Sequence, residues 1–129
     1  MDIYAENIMD HYKHPHNKGT IIGPDVVQKE FNPLCGDEVE MQLKIIKGSV
    51  YDIKFNGKGC AISQASATLT TDLVKGKSIE ELKNITRDDI IDLLGIPIGP
   101  VRLKCALLSF HAIQNAIKKL EEHNNDTKN

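Results

Sequence analysis

From Asp37 onward the chain alternates without a break: Val39, Met41, Leu43 and Ile45 are apolar, and Glu38, Glu40, Gln42 and Lys44 between them are polar. A period of two sends successive side chains to opposite faces, so this stretch is a strand with one face covered and the other wet. Lys47-Gly48-Ser49 supplies a turn, after which Tyr51, Ile53 and Phe55 alternate with Asp52, Lys54 and Asn56 and complete a hairpin. Upstream, Val26-Val27-Gln28-Lys29-Glu30-Phe31 has the β-branched content of a further strand, set off by Gly19 and Gly23-Pro24. A half-wet sheet of this kind is antiparallel and needs helices over its apolar face. The expectation is an α+β fold: a three-stranded antiparallel sheet packed by helices, with a short N-terminal helix and a long C-terminal helix.

The helices can be read from spacing and end signals. Tyr4, Ile8 and Tyr12, with Ile3 and Met9 beside them, recur at helical spacing until His14 precedes Pro15. Gly57-Lys58-Gly59-Cys60 ends the third strand and opens a helix with Ile62, Ala65, Leu69 and Leu73 on its apolar side, closed by Gly76. Ser78-Ile79-Glu80-Glu81 and Thr86-Arg87-Asp88-Asp89 each start a short structural helix, the second ended by Gly95. Gly99-Pro100 introduces the last and longest, from about Val101 to Glu122, with two apolar lines: Cys105, Leu108, Ala112, Ala116 and Leu103, Phe110, Ile113, Ile117. At 129 residues the chain reads as one domain, 1–129, with the polar stretch 121–129 as a frayed tail. A core of that size is stable without disulfides or structural metal, which leaves a metal site free to serve a function.

Bulk properties exclude several roles. Hydrophobic residues at 40% and charged residues at 26% are those of a globular protein, and a net charge of -2 argues against a phosphate-backbone binder. Met1-Asp2-Ile3-Tyr4-Ala5-Glu6 has no basic start followed by an apolar run, and no stretch is long enough to span a bilayer, so a cytoplasmic protein with neither nucleic acid nor membrane as partner is expected. Three cysteines cannot all pair, and cytosolic thiols stay reduced, so metal binding or sulfur chemistry outranks a disulfide framework.

Those cysteines stand in informative places. Cys35 lies in Asn32-Pro33-Leu34-Cys35-Gly36-Asp37, two residues from Asp37, whose odd register shares the covered face of Val39 and Met41. Cys60 sits at or near a helix start, where backbone N–H groups and the helix dipole favour a thiolate. Cys105 falls about one turn inside the last helix, with Lys104 beside it. Three thiolates and one carboxylate suit zinc or an iron–sulfur centre. No CxxC pair is present, which counts against a structural zinc module, and the absence of H-x-E with P-C-x-x-C removes the zinc deaminase reading. A hard oxygen among sulfurs makes for a labile site. His11, His14 and His16 flank Pro15 without a metal-ligand spacing and read as solvated and structural, while His111, two turns from Lys104, reads as a surface or packing residue.

Asn32-Pro33-Leu34-Cys35-Gly36-Asp37, the run from Gly57 through Cys60 to Ala67, and Arg102-Leu103-Lys104-Cys105-Ala106 resemble the three signature segments of the IscU/NifU-like iron–sulfur cluster scaffold family, and the resemblance extends over nearly the whole chain. It implies a small α+β carrier, not a turnover enzyme, that accepts sulfur from a cysteine desulfurase, assembles a transient [2Fe-2S] cluster and passes it to apo-proteins. An iron donor or a chaperone would be a further partner. Carried over by position, Cys35, Cys60 and Cys105 would be ligands and sulfur acceptors, and Asp37 the labile oxygen ligand. Many members have histidine where Lys104 stands, and lysine there is similar to the zinc-dependent sulfur-acceptor branch, SufU, in which zinc occupies the same site. That branch usually carries an insertion between the second and third cysteines, which this chain lacks. Ile98-Gly99-Pro100-Val101-Arg102 stands where a dedicated chaperone reads a Leu-Pro-Pro-Val-Lys-like segment in some relatives.

Overall fold

A computed structural model describes the backbone of residues 3–34 and 36–128, and the side chains of 6–34 and 36–122. The alternating stretches form β1 (Val26–Asn32), β2 (Asp37–Ile46) and β3 (Ser49–Lys58), an antiparallel sheet in that spatial order. β2 and β3 are joined by Lys47 and Gly48, both at positive φ (53° and 77°), the two-residue geometry whose twist matches the flanking strands. At the other end Asn32 pairs with Asp37, and the Gly36 N–H donates to the Asn32 carbonyl at 2.8 Å. The register thus brings the last residue of β1 beside the first of β2.

One strand departs from simple alternation. The β2–β3 register shifts between Lys44 and Ile45, so that Lys44 faces Asp52 while Ile45 faces Val50. Tyr51 is left as the extra residue and turns outward at 66% exposure, and Val50, not Tyr51, joins Ile53 and Phe55 in the core. The wet face is crossed by the loop from α1, the N-terminal helix (Ile3–Lys13), to β1. In that loop Asn17–Gly19 runs parallel to β3, with Phe55 N–H donating to the Asn17 carbonyl and Gly19 N–H to the Phe55 carbonyl. His16 anchors the loop through a 2.7 Å contact from Nδ1 to Asp72, and His11 sets its ring edge against His16.

Over the apolar face lie α2 (Ala61–Val74) and α6 (Leu108–Lys128), the first against β3 and the second against β1 and β2. Val39, Met41, Leu43, Ile53 and Phe55 meet Ala112, Ile113, Ala116 and Ile117 there in one buried cluster. α1, α4 (Arg87–Leu94) and α5 (Pro100–Ala106) pack on the far side of α2. Covered on both sides, α2 has small residues at its close approaches, with Ala65, Ser66 and Ala67 fully buried. The connecting helices have the ends their sequences announce. Ser78 and Thr86 both form complete capping boxes, at the starts of α3 (Ile79–Lys83) and α4, and Gly95 ends α4 in the left-handed conformation. The Ser78 backbone N–H and hydroxyl hold the Glu81 carboxyl below its usual range. Among the described residues no helix is long and apolar enough to cross a membrane.

The long C-terminal helix is two helices. α5 ends at Ala106, Leu107 leaves helical geometry at φ -97° and ψ 0°, and α6 begins at Leu108. At the break the Ser66 hydroxyl donates to the Ala106 carbonyl at 2.6 Å, taking up an oxygen that a continuous helix offers to the N–H four residues on. Ser66→Ala is expected to lower stability by about 1–2 kcal/mol, since the buried carbonyl would lose this donor. Urea unfolding checks it, and an unchanged midpoint would assign the break to another cause. Beyond Glu122 the backbone stays helical to Lys128, through the stretch whose composition reads as frayed, and Glu121 pairs with Lys83.

Candidate metal centre

The start of β2, the start of α2 and the last turn of α5 each bring one ligating group to the same place. Asp37 opens β2 and is 1% exposed. Its register on the covered face turns the carboxylate inward, where Oδ1 accepts the Cys60 N–H at 2.9 Å. Cys60 is the N-cap of α2, and its own sulfur takes the Ser63 N–H at 3.5 Å, as a capping oxygen would. Cys105, expected one turn inside a long helix, is instead buried in the last turn of the short α5, one residue before its end at Ala106. One carboxylate oxygen of Asp37 and the sulfurs of Cys60 and Cys105 all lie within 4.8 Å of one another.

That spread fits one ion or one edge of a small cluster. Two sulfurs each ~2.3 Å from a tetrahedral ion stand roughly 3.7 Å apart, within a small side-chain adjustment of the present positions. The set is two soft donors and one hard one, and it is graded in access, with Cys60 exposed and Cys105 and Asp37 buried. Cys35, the fourth expected ligand, lies outside the described residues.

The sequence reading left out three residues that shape this site. Gly59 is needed because Asp37 and Ser63 crowd it: a Cβ there would stand 2.3 Å from Asp37 Oδ1 and 2.4 Å from Ser63 Oγ. Ser63 donates its hydroxyl to the Cys60 carbonyl at 3.1 Å, closing the turn that presents the sulfur. Asn32 is buried and sends Nδ2 toward Cys105 Sγ at 3.9 Å. All three fall in or beside the quoted motifs, which was the available signal. Lys104 and His111 are exposed and lie along one stripe of α5 and α6, lining an open groove of about 600 Å³ with Phe31, Leu34 and Leu108. His111 also stacks at a tilt on Phe110, as a packing residue would.

A small α+β domain that gathers sulfurs and a carboxylate from the ends of three elements is a metal- or sulfur-handling module. Its family follows from comparison with known proteins: residues 3–127 match the NifU-like N terminal domain, and the chain belongs to that family. It is 38% identical to the zinc-dependent sulfurtransferase SufU of Bacillus subtilis (strain 168), covering 95% of this chain and 94% of that one. It is 36% identical to the iron-sulfur cluster assembly scaffold protein IscU 1 of Archaeoglobus fulgidus, covering 89% and 74%. Among solved structures, a protein from Fervidobacterium islandicum AW-1, described as a putative iron-sulfur cluster assembly scaffold protein for the SUF system, superposes with a TM-score of 0.76 at 30% identity, covering 87% and 94%. The α+β architecture with its three-stranded antiparallel sheet is that of this family.

Proposed function

We propose that this chain is a scaffold on which an iron–sulfur cluster is built and from which it is handed on. The observation that carries the reading is the convergence of Asp37, Cys60 and Cys105 within 4.8 Å where the starts of β2 and α2 meet the last turn of α5. Cys35, Cys60 and Cys105 would supply the soft ligands for a [2Fe-2S] cargo and Asp37 the hard one, which exchanges more readily on iron that is also held by sulfur. Sulfur would come from a cysteine desulfurase, with apo iron–sulfur proteins receiving the product and an iron donor or chaperone as further partner. Exposed apolar side chains near the site, Leu34 at 76% and Val101 at 80%, suit such docking. In this reading the 129 residues act as one domain and as a carrier without turnover chemistry of its own. The exposed Cys60 thiol suits the reducing cytoplasm.

A second reading has its own support. The Bacillus relative is named a zinc-dependent sulfurtransferase, and the donor set fits zinc equally well. Resident zinc would hold the sulfurs as thiolates for persulfide transfer, with the same four residues as its ligands. Length favours the scaffold. The Bacillus alignment runs over 139 positions against 129 residues here, so that relative carries residues this chain lacks. The Archaeoglobus alignment of 115 positions covers 89% of the chain, about 115 residues, and needs no such addition.

Anaerobic incubation with ferrous iron, cysteine and a cysteine desulfurase is expected to give a coloured species with acid-labile sulfide that converts an apo-ferredoxin to its holo form. A colourless protein without bound sulfide would overturn the scaffold reading. Stoichiometric zinc on isolation, with stimulation of the desulfurase and no transfer, would establish the second.

A further inference from the structure

Asn32 connects two parts of the site that are 73 positions apart in the chain. It is 7% exposed, and its polar groups are directed to both parts. Oδ1 accepts the Leu34 N–H at 3.1 Å, a turn in which the side chain stands in for backbone. Its main-chain carbonyl accepts the Gly36 N–H at 2.8 Å, so the loop leading to Asp37 is gathered on this one residue. Nδ2 points the other way, to Cys105 Sγ at 3.9 Å. Cross-strand pairing with Asp37 fixes the backbone from which all this is done.

We propose that Asn32 is a positioning residue for the metal centre: its amide holds the Cys105 sulfur in register with the backbone at Leu34 and donates an N–H that draws charge from that sulfur once it ligates. The proposal rests on the reading of Asp37, Cys60 and Cys105 as ligands. An outer partner that orients a ligand typically changes metal affinity by ~10–100-fold when removed. The long N···S separation places Asn32 at the lower end, at about tenfold. A thiolate that loses a donor becomes more electron-rich, so the energy needed to move its electron toward a bound metal falls. The effect is therefore spectroscopic as well as thermodynamic.

Cobalt(II) is the probe. Asn32→Ser keeps an oxygen able to accept the Leu34 N–H but is too short to reach Cys105, and it adds no charge. Asn32→Asp keeps the acceptor at full length and replaces the donor. Both are expected to move the sulfur-to-cobalt charge-transfer band to longer wavelength, and Asn32→Ser to weaken cobalt binding by about tenfold in chelator competition. The metal-free melting temperature of at least one variant should stay near that of the native chain, which a merely structural role would not allow. A native cobalt band that neither variant moves would overturn the role of Asn32 alone. A native chain with no thiolate–cobalt band at all would instead remove the metal-site reading on which it rests.

Discussion

Asp37→Ala is expected to hold an assembled cluster about tenfold longer against an apo-acceptor while melting at a lower temperature, two effects with separate origins in one carboxylate. The first follows from ligand hardness. An oxygen on sulfur-ligated iron is the group that yields to an incoming thiolate, and without it exchange must start at an iron–sulfur bond; tenfold corresponds to ~1.4 kcal/mol. The second follows from geometry, because Oδ1 accepts the N–H of Cys60 at the head of α2. Losing such a cap costs roughly 1–2 kcal/mol, or roughly 3–8 °C in melting temperature for a domain of this size. Asp37→Asn separates the two. Its amide oxygen can still accept from Cys60, so it should melt near the native temperature while giving up the anionic ligand. Transfer half-times and calorimetric melts of both variants check the pair. Alanine and asparagine variants that release as fast as the native chain would remove Asp37 as the labile ligand, and an asparagine variant that melts as low as alanine would remove the capping role. Cys35→Ser changes a soft donor for a hard one at the expected fourth position and should prevent a cluster from accumulating at all.

Gly59→Ala is expected to damage the site itself with the addition of a single methyl group. The residue sits at φ +159°, at the margin of the region side chains avoid, and its Cβ would meet Asp37 Oδ1 at 2.3 Å and Ser63 Oγ at 2.4 Å. Strain and overpacking each cost ~1–3 kcal/mol, so a loss of about 3 kcal/mol is expected. The carboxylate would be pushed from its bond to Cys60, and zinc or cobalt affinity should fall at least about tenfold. Gly76→Ala is the control, since φ there is +89° but nothing lies within 4 Å of the added atom. It should cost only the backbone strain, about 1 kcal/mol, and leave metal binding alone. If the two variants unfold alike and bind metal alike, the close approach around Gly59 has no part in the site.

How much of this could be read without coordinates depended on whether the cause was local. The β2 alternation placed Asp37 on the covered face because register is a parity argument, and it is buried at 1%. The same argument misplaced Tyr51, since a bulge reverses parity and nothing in Ser49–Ile53 announces one. Capping boxes at Ser78 and Thr86 were legible because both partners lie within one turn. The division of the last helix was not. Cys105, Leu108, Ala112 and Ala116 keep helical spacing across Leu107, while the donor at the break, Ser66, comes from another helix. The site divided along the same line: the residue types that ligate metals stood out in their motifs, and Asn32, which acts on Cys105 across the fold, did not.

The loop beside β3 bears on the protein's behaviour in solution. A scaffold passes through an empty state, and its small sheet then has two flanks on which another chain could extend. Asn17–Gly19 occupies the β3 flank with backbone hydrogen bonds, and on the β1 side the Lys119 ammonium sits on the Val27 carbonyl at 2.9 Å. A paired edge and a lysine on the other are the means by which sheets discourage strand addition. The unloaded protein is thereby guarded against aggregation between copies and remains available for the next cargo.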